Sequence, residues 1–200
     1  MPLQNISTIV DIMAKTSPPE ILIPHRVREE RARRGLTLQQ LAGMADVSRA
    51  MISKIERGQS TPTAVLLSKI ADAMGLSLSS LMSEPRTVSS QLRRLPEQPQ
   101  WVDPETGYIR RLISLPGDAG GVEIVAIELP VGQIVNFPAS ESFHSDDQIL
   151  LLEGQLSLRC GNTVYELRPG DCARISSAQE NAFCNPAAVT ARYLVVKRHY

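Results

Sequence analysis

The chain has 200 residues, room for one or two domains, and its 21 Lys and Arg are balanced by 21 Asp and Glu. No run approaches the roughly 18 consecutive apolar residues of a membrane span. The three cysteines, Cys160, Cys172 and Cys184, are odd in number and lack CxxC spacing, which argues against a disulfide-stapled scaffold or a zinc ribbon.

Charge is unevenly spread. Residues 21–86 hold ten Lys and Arg against six Asp and Glu, whereas residues 87–200 hold ten against thirteen. A basic front beside an acidic back predicts nucleic-acid contact by the front alone. The excess is modest, so affinity is expected to lean on a second subunit as well. The start, MPLQNISTIVDIMAK, has no basic leader and carries Asp11 inside its apolar run. It does not read as a targeting segment, and a cytoplasmic chain with reduced thiols is expected.

Residues 1–20 read as a flexible arm, because Ser17-Pro18-Pro19 breaks the short amphipathic stretch Thr8–Ala14. Pro24 opens a first helix that runs to about Arg34, where Gly35 ends it. Its arginines, Arg26, Arg28, Arg31, Arg33 and Arg34, form either a solvated face or in part a phosphate-binding one.

The stretch Leu36–Gly58, LTLQQLAGMADVSRAMISKIERG, predicts two short helices and a tight turn. Thr37 and Gln40 have capping-box spacing, and Leu38, Leu41 and Ala42 share a face. Ala45-Asp46-Val47 makes the turn. Ser48 caps the second helix, Ile52 and Ile55 form its apolar side, and Gly58 stands where a left-handed C-terminal residue belongs. This is helix-turn-helix spacing, with the second helix destined for the major groove. Opposite Ile52 and Ile55 lie Arg49, Ala50, Ser53 and Lys54, the expected base contacts. Gln39, Ser48, Gln59, Ser60 and Thr63 are expected to bind phosphates around the helix N-termini.

Thr61-Pro62 predicts the start of a fourth helix carrying Val65, Leu66, Ile70 and Met74, ended by Gly75. Ser77 caps a fifth, Leu78–Met82. Residues 21–83 thus predict a five-helix DNA-binding domain. Residues 84–105 read as a linker, rich in proline, in which Leu92, Leu95 and Trp101 are expected to pack between domains and Arg93-Arg94 to be solvated. From residue 106 to 200 the pattern is β: VEIVAIEL at Val122–Leu129, the buried run Ile149–Leu152, alternating Leu156, Leu158 and Cys160, a Gly161-Asn162 hairpin turn, and a last strand at Val189–Val196. Many short strands with regular turns predict a sandwich or barrel.

Two resemblances sharpen this reading. Leu36-Thr37, Leu41-Ala42, Val47-Ser48, Ile52, Ile55-Glu56-Arg57-Gly58, Thr61-Pro62 and Ile70-Ala71 resemble the Xre (lambda-repressor-like) helix-turn-helix family over about Ile21–Met82. Asp46 departs from that pattern, which usually has glycine there; Asp tolerates the left-handed region better than most residues. The resemblance also implies an ion pair between Arg31 and Glu56 that locks the first helix to the recognition helix. LLLEGQLSLRCGNTVYELRPGDCARI resembles the cupin family, small jelly-roll barrels with an internal pocket, over about Ile109–Tyr200.

Metal-binding cupins use two histidines and a glutamate in the first motif and a histidine in the second. Here Asp147 falls at the glutamate position and Asn181 at the second-motif histidine. His144 is out of register, Glu141 stands near a histidine position, and His25 and His199 lie elsewhere. Carboxylates, one histidine and an amide make a poor transition-metal set, so no metal and no catalysis are expected. The pocket is still expected to hold a small molecule, lined by His144, Asp147, Arg174 and Asn181. Strand alternation lets only one of Asp147 and Gln148 point inward, and Asp147 is favoured.

The sequence therefore implies a DNA-binding transcriptional regulator whose cupin senses a small-molecule effector and dimerises the chain on an inverted repeat of double-stranded DNA. Two alternatives are a metal-dependent cupin enzyme fused to a DNA-binding domain and a DNA-binding protein whose cupin only dimerises.

Overall fold

The computed structural model describes residues 23–82, 91–115, 121–142 and 144–199. The arm read at residues 1–20 and residues 84–90 of the linker lie outside them. Five helices come first: α1 Ile23–Arg33, α2 Leu38–Ala45, α3 Arg49–Glu56, α4 Ala64–Ala73 and α5 Leu78–Met82. Their local chemistry sets their limits. Thr37 and Gln40 form a reciprocal capping box at the start of α2, and the Ser48 hydroxyl accepts the Met51 N–H at the start of α3. Asp46 ends α2 in the left-handed region, at φ 51°. No other described residue besides glycine has a positive φ. Its carboxylate pairs with Lys69 of α4 at 3.2 Å.

The fourth helix starts later than Thr61-Pro62 implies. Thr63 is its N-cap, with its hydroxyl accepting the Leu66 N–H at 3.3 Å. The Ala64 N–H is taken at 2.5 Å by the carboxylate of Asp103, a residue 39 positions away. The other Asp103 oxygen accepts the Glu105 and Thr106 N–H groups, so one side chain closes its own turn and caps a distant helix. Leu41, Ile52, Ile55, Leu67, Ile70 and Leu81 meet in the helical core with essentially no exposure.

A 3-10 turn at Leu95–Glu97 leads into ten strands. They are β1 Gln100–Val102, β2 Ile109–Leu112, β3 Val122–Leu129, β4 Ile134–Phe137, β5 Ser145–Glu153, β6 Leu156–Cys160, β7 Thr163–Leu167, β8 Cys172–Ser176, β9 Asn181–Cys184 and β10 Ala191–His199. All pairings are antiparallel. One sheet has the order β1-β2-β3-β10-β5-β8 and the other β4-β9-β6-β7. The two face each other as a jelly-roll, as the second resemblance implies, around Ile127, Leu129, Ile149, Leu151, Leu156, Leu158 and Tyr193. Gly154 is required where it stands. Its φ is 82°, and a Cβ there would lie 2.9 Å from the Thr190 carbonyl oxygen.

The barrel begins earlier than residue 106. Gln100–Val102, inside the stretch read as linker, pairs with Ile109–Arg111 because burying Trp101 favours a strand there. Trp101 is buried and Leu95 half-buried, but Leu92 is exposed, so the expected interdomain packing of all three does not hold. Arg93 is not simply solvated, since it donates to the Ser114 carbonyl at 2.7 Å.

The two units share one contiguous apolar core and a polar seam. Ser77 and Ser79 of the α5 region donate to Glu123 of β3, and Arg110 of β2 donates to both Ser79 and Glu123. On the far side, Asp72 of α4 accepts the Ser140 hydroxyl and the Glu141 and Ser142 N–H groups.

Asp103→Ala is expected to lower stability by about 1–2 kcal/mol, the cost of a lost helix cap, in chemical denaturation. A variant as stable as the parent would show that water caps α4 equally well.

Candidate functional site

Two surfaces carry chemistry. The first is the exposed side of α3. Ile52 and Ile55 are fully buried, which turns Arg49, Ala50 and Lys54 to solvent and leaves Ser53 half-buried beside them. Ser48, Gln39 and Gln59 are exposed at the neighbouring helix ends, and Ser60 is half-buried. Thr63 is committed to capping α4, whose first N–H is held by Asp103. Arg57, exposed at the end of α3, extends the basic face and was not singled out from the sequence as a contact. Its place one turn beyond Ser53 and Lys54 was the available signal.

Two ion clusters hold this face in place. Arg31 grips Glu56 with Nε and Nη2 at 2.6 and 2.8 Å and gives Nη1 to the Leu36 carbonyl. The side chains are 16 % and 8 % exposed, so the fork is largely out of water. The Glu56 hydrogen bonds raise the Arg31 pKa above its ordinary value. Glu30, buried at the base of α1, accepts from Arg26, Arg33 and Arg34. Burial alone would raise its pKa, but these guanidiniums outweigh that and hold the carboxyl below the ordinary glutamate value.

The second surface is a cavity of about 350 Å³ inside the mouth of the barrel. Strand alternation fills its wall. Ser145 and Asp147 point inward from β5, Tyr193, Val195 and Lys197 from β10, and Asn181 and Phe183 from β9. Tyr108 and Arg110 complete the barrel side. Ala45, Asp46, Ser68, Lys69 and Asp72 of the helical unit close the rest. Lys197 stands opposite Asp147 in the register and pairs with its Oδ2. Phe183 stacks on Tyr193, with ring centroids 5.8 Å apart. Burial pushes both Tyr108 and Tyr193 above the ordinary phenol pKa, so both remain neutral.

Of the four residues expected to line the pocket, Asp147 and Asn181 do so. His144 and Arg174 do not. His144 is exposed ahead of β5, and Arg174 points outward between the inward Ala173 and Ile175, opposite the exposed Gln148. Tyr108, Arg110, Ser145, Tyr193 and Lys197 were missed. The alternation Tyr193, Val195, Lys197 was the signal for the last strand.

A transition metal does not fit this cavity. Among the described residues no three His, Cys, Asp or Glu side chains gather as ligands. Asp46, Asp72, Glu141 and Asp147 line its wall, but they do not gather, and the Lys69 and Lys197 ammoniums already pair with Asp46 and Asp147.

Residues 27–81 match the helix-turn-helix family HTH_3. The whole fold resembles the crystal structure of an HTH_3 family transcriptional regulator from Vibrio cholerae, with a TM-score of 0.71 and 25% identity over 90% of this chain and 96% of that one. Two Escherichia coli (strain K12) proteins, the HTH-type transcriptional regulators SutR and PuuR, are each 25% identical to it over 84% of this chain and 89% and 90% of their own lengths. Residues 27–81 thus form a helix-turn-helix DNA-binding unit, followed by a jelly-roll barrel, in a chain whose similarity to transcriptional regulators spans both units. No helix among the described residues is long and apolar enough to cross a membrane.

Glu56→Ala is expected to lower the stability of the helical unit by about 3 kcal/mol, because it strands the largely buried Arg31 guanidinium. Equilibrium unfolding measures this, and an unchanged midpoint would show the pair to be energetically idle. Glu30 adds a pH dependence. Its folded pKa is depressed, so its stabilisation is present above the unfolded pKa and lost as pH falls through the folded value. Glu30→Gln should therefore flatten the loss of stability on acidification. An unaltered pH profile would assign acid unfolding to other carboxylates.

Proposed function

We propose that the chain reads an operator with α3 and that a small molecule in the barrel cavity tunes that reading. The observation that carries this is the shared wall: side chains of the DNA-binding unit close a cavity that otherwise belongs to the barrel. An occupant there touches both units, so it binds unequally to arrangements that differ in how they dock. That inequality is what a ligand needs in order to shift a conformational equilibrium. The neutral phenols, the pre-paired Asp147–Lys197 and the absent metal set suit holding a ligand better than transforming one.

Arg49 on the exposed face of α3 has the reach and donors for a guanine edge. Ala50, Ser53 and Lys54 accompany it in base contact, while Gln39, Ser48, Gln59 and Ser60, with Arg57, meet phosphates. Thr63 contributes only if Asp103 releases α4.

A single head of this size reads few bases, so the chain acts as a homodimer on an inverted repeat, with the recognition helices about 34 Å apart. Ile134 and Val164, exposed on the outer face of the four-stranded sheet, and the open edge at β7 support the barrel as the dimer surface.

The operator is found by selection from random duplexes, and its binding is then measured with fractions of a small-molecule cell extract. One fraction is expected to change operator affinity in the parent and not in a cavity variant such as Phe183→Ala. No response to any fraction would leave the barrel a dimerising module only. Arg49→Ala should cost about 1–3 kcal/mol on the selected operator and relax one base position. Equal weakening on every duplex would make Arg49 a phosphate contact instead.

A further inference from the structure

We infer that the cavity takes a small molecule that presents hydrogen-bond donors, hydroxyl or ammonium, to the Oδ1 atoms of Asp147 and Asn181, rather than a carboxylate or phosphate. The inference rests on the reading of the cavity as a ligand site and adds the ligand's chemistry.

Asp147 and Asn181 are 4% and 5% exposed, and they enter the cavity from opposite sheets. Each spends one polar atom on the protein. Lys197 holds Oδ2 of Asp147. The Asn181 amide nitrogen donates to the Ser176 and Gln179 carbonyls at 2.9 and 2.8 Å. Both partners are acceptors, so the amide has only one sensible orientation, and its oxygen must be the atom left over. Oδ1 of each residue has no hydrogen-bond partner among the described residues, and neither does the hydroxyl of Ser145 two positions before Asp147.

Buried polar atoms left in this state are costly unless something satisfies them. Two unpartnered acceptors in the wall of one cavity call for donors. An anion would bring acceptors to acceptors, beside a carboxylate.

The cationic groups are largely engaged. Lys197 is paired with Asp147, and Arg110 through Nη2 with Glu123 and Ser79, its Nε being the one cationic donor of this wall left without a partner among the described residues, against the two acceptor oxygens. At the helical rim Lys69 is paired with Asp46. The Phe183–Tyr193 stack gives the occupant an apolar flank, which suits the carbon skeleton of an amino alcohol or a polyol.

The test is heteronuclear NMR on the full chain, titrated with three probes of similar size in a non-amine buffer: Tris as an amino-triol, inositol as a polyol and succinate as a diacid. Tris, inositol or both are expected to shift the Asp147 and Asn181 amides saturably, with effects reaching Lys69 and Asp72 across the cavity, while succinate leaves them in place. A response to Tris alone assigns the ammonium, and a response to inositol assigns the hydroxyls.

Asp147→Asn then discriminates further. Lys197 fixes the new amide oxygen at the former Oδ2 position, which turns the free atom into a donor. Probe affinity should fall about tenfold or more, as for a buried hydrogen bond lost and a donor opposed. Asn181→Leu, if it folds, should do the same, and Ser145→Ala supplies a milder second variant. Saturable binding of succinate, unchanged affinity in Asp147→Asn, or silence from both donor probes overturns the assignment. Any of these leaves the sensor reading to be decided by the extract experiment, because an acid found in the cavity would still be an effector.

Discussion

The arrangement of this molecule depends on carboxylates that reach across the boundary between its two units. Asp103 closes the turn that follows β1 yet caps α4. Asp72 sits on α4 yet organises the loop between β4 and β5. Glu123 on β3 receives the serines of α5. Each satisfies N–H or O–H groups that helix ends and turns leave over, so separating the units would expose several unpaired groups at once. The shared apolar core adds a nondirectional attraction, while the carboxylates add direction. The result is a DNA-reading head whose pose on the barrel is defined rather than tethered.

That pose has a consequence for the recognition face. Arg31–Glu56 ties α3 to α1, and α1 is tied through Arg34 to the Met74 carbonyl at the end of α4. Asp103 and Asp72 then grip the two ends of that same α4. The chain of contacts from barrel to α3 thus runs through one helix held at both termini. A change in how α4 sits on the barrel moves α3 as part of a rigid head, since the core residues Leu41, Ile52, Ile55 and Ile70 leave no slack between the helices.

Much of this was legible in the sequence, for identifiable reasons. The caps Thr37, Ser48 and Ser77 act within a single turn, so their signals are local and survive in the fold. Inward and outward residues of a strand alternate strictly, which is why the parity argument separates Asp147 from Gln148. The same parity, applied to β8, would have excluded Arg174, because Ala173 and Ile175 claim the inner face. What was hidden is nonlocal. No spacing rule connects Asp103 with Ala64, whose N–H it takes at the start of α4. Nor does any rule connect Lys197 with Asp147, which meet only because β5 and β10 pair in that register. The early start of the barrel at Gln100 is likewise set by a partner strand rather than by the proline-rich texture around it.

The seam also bears on DNA contact. The N-terminus of a helix attracts anions, and a phosphate and a carboxylate compete for the same N–H group. At α4 the carboxylate of Asp103 already has it, within a short hydrogen bond and with its second oxygen anchored in a turn. Thr63, expected from the sequence to meet a phosphate, is half-buried beside a fixed negative charge. Among the described residues the N-terminal ends of α2 and α3 carry no such internal anion: Thr37 and Ser48 cap them with neutral hydroxyls. Two helix N-termini thus end on neutral hydroxyls, and a third is closed by the chain's own carboxylate. The exposed face of α3 and the domain seam consequently divide the helix ends between them, and the division follows from which side chain, hydroxyl or carboxylate, sits at each cap.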